Sequence, residues 1–267
     1  MLIIFMGAGD IGLPSLQWLI VSSGHDLIGV FTPPEKHVGR KHVLTSTATK
    51  AAAEIAGVPV FQPEKLRGNT GVLATLDDLA PDLIVVMAYG QILPQAVIDA
   101  PKIACINLHA SLLPRHRGAS PIQAAIREGD METGITVMHI AKALDAGDMI
   151  TETVIPIADD DTGGSLHDKL AELGAGALAD ALPLLEAGNA PREAQDDDLA
   201  TYAPKLMRED GEIDWSRPAA EIERLIRAYD PWPGTYTWLE TEKGRQKLKL
   251  YPSVTAMAED SGSTGSD

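Results

Sequence analysis

The residues with the clearest potential for chemistry are Asn107 and His109. In Ile103-Ala-Cys-Ile-Asn-Leu-His109-Ala-Ser111, period-two alternation sends Cys105, Asn107 and His109 to one side of a strand otherwise made of Ile, Ala and Leu. A lone histidine in such a strand is usually a hydrogen-bonded core residue. A carboxamide and an imidazole side by side at the carboxyl end of a parallel strand stand where open α/β sheets hold ligands. A Cys–His nucleophile is the rival reading. It fails on reach, because four strand residues at about 3.3 Å each separate Cys105 from His109. Cys105 is therefore expected as a small core residue.

Two loops follow. Leu112-Leu-Pro-Arg115-His-Arg117-Gly-Ala-Ser-Pro121 carries arginines two apart, able to hold an anionic or carbonyl-rich partner or simply to be solvated. Ala143-Leu-Asp145-Ala-Gly-Asp148 supplies carboxylates in a glycine-containing turn, which either cap their own backbone or orient His109 as a third member of a constellation. The sequence leaves both choices open. Asp159-Asp160-Asp161 reads as a solvated turn, and with one cysteine and no zincin-like histidine pair no metal is expected. Gly7-Ala-Gly-Asp-Ile-Gly12 has dinucleotide-loop spacing, yet the second strand ends in Phe31-Thr32-Pro33-Pro34, without the acid that would take ribose hydroxyls. Those glycines are read as turn and packing residues, leaving an NAD-dependent oxidoreductase as a remote alternative.

The elements that must position these residues alternate short apolar runs with helical patterns. Strands are expected over 2–6, 27–32, 83–88 and 103–109, and helices over 13–21, 46–55, 94–98 and 121–127. That pattern predicts an α/β fold with a mainly parallel, doubly wound, Rossmann-like sheet. Extended stretches at 135–140 and 149–157 precede a helix over 165–187, for which Ser165 and Asp168 have capping spacing. The polar run after Gly188 reads as a linker, so the domains are taken as 1–188, a linker 189–206, a small C-terminal unit 207–257 with a helix over 219–229 and strands near 235–239 and 247–251, and a disordered tail 258–267.

Composition narrows the function classes. The chain has 267 residues, 45% of them hydrophobic and 22% charged, which excludes collagen, coiled coil and simple disorder. Its net charge of −16 repels phosphate backbones and anionic lipid, so a nucleic-acid partner must be met by local basic patches. A lone cysteine and the lack of a leader or membrane span suit a cytoplasmic protein with no membrane partner. Nothing indicates an oligomeric state.

Asn107-Leu-His109-Ala-Ser-Leu-Leu-Pro-Arg-His-Arg-Gly118, followed by Leu144-Asp145-Ala-Gly-Asp148, resembles the formyltransferases that use 10-formyltetrahydrofolate. The stretches Pro81 to Pro94, Gly164 to Leu170, Tyr202 to Leu206 and Asp214 to Gly234 extend the resemblance, the last two toward the branch that formylates methionyl-initiator tRNA. The resemblance implies a formyl transfer through a tetrahedral intermediate, with Asn107 and His109 donating to its oxyanion and Asp145 assisting proton transfer. It implies a folate site formed by Met87, Ala88, Tyr89, Gly90, Ile92 and Leu93, with Ser111, Leu112, Leu113 and Pro114 as another wall. It implies tRNA contacts from Lys36, Arg40 and Lys41 in the loop 33–49 and from Arg115 and Arg117. The cation cluster Arg224, Arg227, Lys243, Arg245, Lys247 and Lys249 adds to them. The family's C-terminal module is an OB-like β-barrel, expected here in shortened, incomplete form. An amino-sugar nucleotide is the alternative acceptor.

Overall fold

The computed structural model describes residues 1–38, 43–242 and 244–253. The chain opens with β1 (Leu2–Gly7), α1 (Leu13–Val21) and β2 (Asp26–Phe31), then a small hairpin β3 (Lys36–Val38) and β4 (Val43–Thr45), α2 (Ala48–Ile55) and β5 (Val60–Phe61). Next come α3 (Thr70–Leu79), β6 (Leu83–Met87), α4 (Gln95–Ile98), β7 (Ala104–His109), β8 (Arg117–Gly118) and α5 (Pro121–Glu128). After β9 (Glu132–His139), β10 (Met149–Pro156) and α6 (Gly163–Glu186) stand β11 (Tyr202–Ala203), α7 (Ala219–Ala228), β12 (Thr235–Thr241) and β13 (Gly244–Leu250).

The central sheet has the order β10-β9-β7-β6-β1-β2-β5. Strands β5, β2, β1, β6 and β7 are parallel, while β9 runs antiparallel to β7 and β10 antiparallel to β9. Every residue of β6, Leu-Ile-Val-Val-Met, is buried, as a strand covered on both faces requires. On one face Phe5, Ile106 and Leu108 pack with Leu16 of α1 and with Leu166, Leu170 and Leu178 of α6. On the other, Ile4, Ile84 and Cys105 pack with Leu76 of α3 and Val97 of α4. Chain order doubles back between β1 and β6, the kind of switch that leaves a crevice at the carboxyl ends of the strands.

Several expectations change. The cap of α6 is Thr162, whose hydroxyl accepts from the Ser165 N–H while the Ser165 hydroxyl accepts from the Thr162 N–H, so the helix starts before the Ser165–Asp168 pair. Asp161 is not solvated: it is 3% exposed and accepts from the Ala158 N–H, the Ser165 hydroxyl and the Lys169 ammonium. Helix α3, capped by Asn69, and the short β5 complete the parallel part of the sheet.

The polar run after Gly188 is strapped to the sheet domain. Its bridge Met149 to Glu193 and the parallel pairing of β11 with β8 hold it there. Beyond it, α7 lies on α5, where Arg224 Nε donates to the Arg127 carbonyl. Strands β12 and β13 form an antiparallel hairpin, longer than the expected strands. The proposed tail 258–267 lies outside the described residues.

Candidate active site

Strand β7 ends at the site. Its register puts Asn107 opposite Met138 and His109 opposite Thr136 of β9, and Val86 of β6 opposite Asn107. Asn107 is half-buried, and among the described residues its carboxamide makes no hydrogen bond. His109 is 5% exposed and both its ring nitrogens face oxygen. Nε2 lies 3.0 Å from the His116 carbonyl, which can only accept, so Nε2 carries a proton there. Nδ1 faces Asp145 Oδ2 at 3.7 Å, too far for a direct hydrogen bond. The three side chains expected to act together are thus brought together, with a gap between imidazole and carboxylate.

Asp145 is held from two sides. Its Oδ2 accepts from the Gly118 N–H at 2.8 Å, and its carbonyl accepts from Gln195 Nε2 at 2.9 Å. Gly147, two residues on, lies against the His139 carbonyl so closely that a Cβ there would overlap it, which is the physical reason for glycine in Asp-x-Gly. Among the described residues, four non-glycine positions have left-handed backbone, and three of them, Ala88 (φ 50°), His116 (φ 59°) and Asp145 (φ 48°), lie at the end of β6 or in the loops that meet His109. Each such conformation costs roughly 1–2 kcal/mol, and strain of this kind concentrates at functional sites.

His116 belongs to the site, though its sequence position gave no role to it. Its ring is buried, Nε2 lies 2.6 Å from Asp130 Oδ2, and its backbone N–H donates to Thr201 Oγ1 at 2.8 Å. These bonds fix the carbonyl that in turn fixes His109. Thr136, fully buried, accepts from the Leu113 N–H and donates to the Ser111 carbonyl, tying the loop after β7 to β9. Gln195 was also missed. Single polar side chains in a polar run carry no periodic signal.

The expected folate residues divide. Met87 and Tyr89 are core, while Ala88, Gly90 and Ile92 are exposed and Leu93 is half-buried, so this segment offers main-chain groups and small surfaces to the crevice. Burial pushes the Tyr89 phenol up to about 12, and its hydroxyl has no partner among the described residues. Ser111 is fully buried with its hydroxyl donating to the Arg115 carbonyl, and Leu113 is buried too. Leu112 lines a hollow with His116, Met131 and Thr133, to which the 87–93 segment does not contribute. Pro114 is half-buried.

The expected tRNA residues divide further. Arg40 and Lys41 lie outside the described residues, as does the side chain of Lys36. Arg115 is half-exposed and paired with Asp130. Arg117 corrects the expectation: it is 3% exposed and its guanidinium donates to Gln195 and Asp197, so it holds the strap rather than facing a ligand. Arg224 and Arg227 are likewise engaged, with Arg127, Glu223 and the Asp161 carbonyl. Lys243 lies outside the described residues. One face of β13 carries Arg245, Lys247 and Lys249, of which Arg245 lies 4.0 Å from a Glu212 carboxylate oxygen and 3.8 Å from one of Glu240. Arg245 lies 4.5 Å from the Trp238 ring centre, and Lys247 lies over Tyr236.

Other readings lose ground. Cys105 is buried and its thiol is pushed up to about 12 by that burial, which leaves it no thiolate for nucleophilic work. A Cβ at Gly7 or Gly12 would meet the Phe5 ring and the Met87 carbonyl or Cβ, so these glycines allow β1, its following turn and β6 to close up. Thr32, at the end of β2, is buried against Thr47 and Thr49, where a ribose would need a carboxylate. Among the described residues no helix is long and apolar enough to cross a membrane.

Carboxamide, imidazole and carboxylate thus meet at the carboxyl end of β7. The chain belongs to the formyl transferase family, whose model matches residues 1–182 and whose C-terminal domain model matches residues 205–266. It is 53% identical over 266 residues to the methionyl-tRNA formyltransferase of Akkermansia muciniphila, spanning 99% of this chain and 84% of that protein. Among solved structures it is similar to a 4-N formyltransferase from Francisella tularensis, with a TM-score of 0.70 and 18% identity over 96% of this chain and 98% of that one. It is also similar to an N-formyltransferase from Helicobacter canadensis in complex with folinic acid and dTDP-3-aminofucose, with a TM-score of 0.65 and 17% identity over 85% and 80% of the two chains. At such identities the structural likeness concerns the fold alone.

Proposed function

We propose that this chain transfers the formyl group of 10-formyltetrahydrofolate to the α-amine of methionyl-initiator tRNA, and that Asn107, His109 and Asp145 carry the transfer. The observation behind this reading is the gap between His109 Nδ1 and Asp145, with the Asn107 carboxamide, which has no hydrogen-bond partner among the described residues, on the same strand face. Relatedness to a methionyl-tRNA formyltransferase over 99% of this chain and 84% of that protein supports the acceptor.

The amine nitrogen attacks the formyl carbon, and the carbonyl electron pair moves to oxygen. Asn107 and His109 donate to that oxyanion, His109 held from behind by the His116 carbonyl. Asp145 takes the proton that the amine sheds. Collapse of the intermediate re-forms the carbonyl and breaks the bond from carbon to the folate nitrogen, which leaves with the proton that Asp145 gives back. Atoms and charge balance: one N–H is exchanged for one N–formyl. The pterin lies along the main chain of 87–93, and the acceptor end of the tRNA enters past the loops 114–118 and 143–148. The hairpin face of Arg245, Lys247 and Lys249, interleaved with Trp238 and Tyr236, suits the phosphates and bases of an acceptor arm in an otherwise acidic molecule.

The deciding experiment offers the enzyme 10-formyltetrahydrofolate with either methionyl-initiator tRNA or an amino-sugar nucleotide. Turnover with the charged tRNA, falling as salt rises, is expected. Turnover with the sugar alone rejects the proposed acceptor. Turnover unaffected by substitution of both Asp145 and His109 rejects the proposed site.

A further inference from the structure

Gln195 sits in the strap between the two parts of the chain and uses its whole hydrogen-bonding capacity on the site loops. Its Nε2 donates to the carbonyls of Asp145 (2.9 Å) and Gly147 (2.8 Å). Its Oε1 accepts from Arg117 Nε (2.9 Å) and Nη2 (2.8 Å). Two donor hydrogens and two acceptor positions are all that a carboxamide has. The neighbours also fix its orientation, since carbonyls need the amide side and the guanidinium needs the oxygen. A closed circuit results. Arg117 leads directly into Gly118, whose N–H holds the Asp145 carboxylate at 2.8 Å, and Gln195 returns from Arg117 to the Asp145 main chain.

We propose that Gln195 is a positioning residue for formyl transfer, holding the 145–147 turn, with Asp145 in its left-handed conformation, so that the Asp145 carboxylate faces His109 Nδ1. This rests on the reading of Asp145 given above. The strap thereby makes a segment outside the sheet part of the reaction geometry. Reach sets the requirement: the two carbonyls and the guanidinium lie on opposite sides of one side-chain amide, so an isosteric carboxylate satisfies only one side.

The test compares four proteins in steady-state formyl transfer to methionyl-initiator tRNA, with rates normalised to the folded fraction from near-ultraviolet circular dichroism. Gln195→Glu keeps two acceptors for Arg117 and loses both donors. Its kcat should fall at least tenfold, with KM for tRNA and folate within about twofold and the melting temperature near that of the parent. Asp197→Ala removes only the exposed outer partner of Arg117 and should leave kcat within about twofold. Asp145→Asn checks the underlying reading: if it keeps full kcat, the assignment of Asp145 falls and the positioning role with it. A loss in Asp145→Asn beside an unchanged Gln195→Glu overturns the Gln195 proposal alone, as does a Gln195→Glu loss confined to KM. Should Gln195→Glu not fold, Gln195→Met is read by the same criteria, and failure of both to fold assigns Gln195 to stability and overturns the proposal.

Discussion

Asn107→Ala separates chemistry from folding more cleanly than any other change at the site. Among the described residues the Asn107 carboxamide makes no hydrogen bond, so truncation strands no protein donor or acceptor. The stability cost is then that of a half-buried side chain, about 0.5–1 kcal/mol, or at most a few degrees in melting temperature for a domain of this size. His109 is the contrasting case, because removing its ring leaves the buried His116 carbonyl unpaired at a cost of about 1–3 kcal/mol and opens a cavity. In the reaction the order changes: loss of one preorganised oxyanion donor costs roughly 100- to 1,000-fold in kcat, about 2.7–4 kcal/mol. Single-turnover formylation of methionyl-initiator tRNA, with saturating folate and a parallel thermal melt, reads both quantities. The expected result is a kcat loss of at least 100-fold with a near-native melt. A kcat within threefold of the parent, or a loss borne wholly by KM, would refute the assignment of Asn107 to the transition state.

Two stability predictions follow from buried titratable groups. Burial opposes ionisation of Asp161, but hydrogen bonds from Lys169, Ser165 and the Ala158 N–H outweigh it and hold the carboxyl below its ordinary value. The stabilisation is therefore present above about pH 4 and lost as pH falls through the depressed value. Asp161→Ala should lose about 2–3 kcal/mol in urea unfolding at pH 7, less than a fully buried pair because Lys169 can be rehydrated, and should show a flatter acid limb. An unchanged urea midpoint contradicts this. His139 is lowered, first by burial and next by Arg192, against the opposing pull of the Pro191 carbonyl and Asp148, and its Nε2 has no partner among the described residues. The unfolded chain takes up the proton near pH 6.5 while the folded one resists, so stability should decline as pH drops below that point. His139→Gln should flatten the decline between pH 6.5 and 5; an identical slope in both proteins assigns the acid sensitivity elsewhere.

The sheet was legible because its signals are repetitive. Buried runs such as Leu83 to Met87 and alternation such as Cys105, Asn107, His109 repeat over several residues, and tertiary packing agreed with them. Helix α3 escaped because Gly71 interrupts a short segment of which only Val72 and Leu76 are buried. The pairing of Asp145 with His109 could be raised from composition of the turn but was specified only by family resemblance, since 35 residues and two strands intervene. The roles of His116 and Gln195 were not legible at all. One acts through a backbone carbonyl and the other through a side chain in a run that composition marks as connector, and neither has a period or a residue-type bias to betray it.

The tie between β11 and β8 has a practical corollary for anyone dissecting the molecule. A fragment ending at residue 188 would retain every strand of the large sheet yet shed Gln195, Thr201 and Tyr202, and with them the bonds that hold the 114–118 and 143–147 loops. Severing the polypeptide beyond Ala203 instead would keep these moorings. Loss of turnover in the shorter fragment would then report slack in the reaction chamber, and would say nothing about whether the C-terminal hairpin grips RNA.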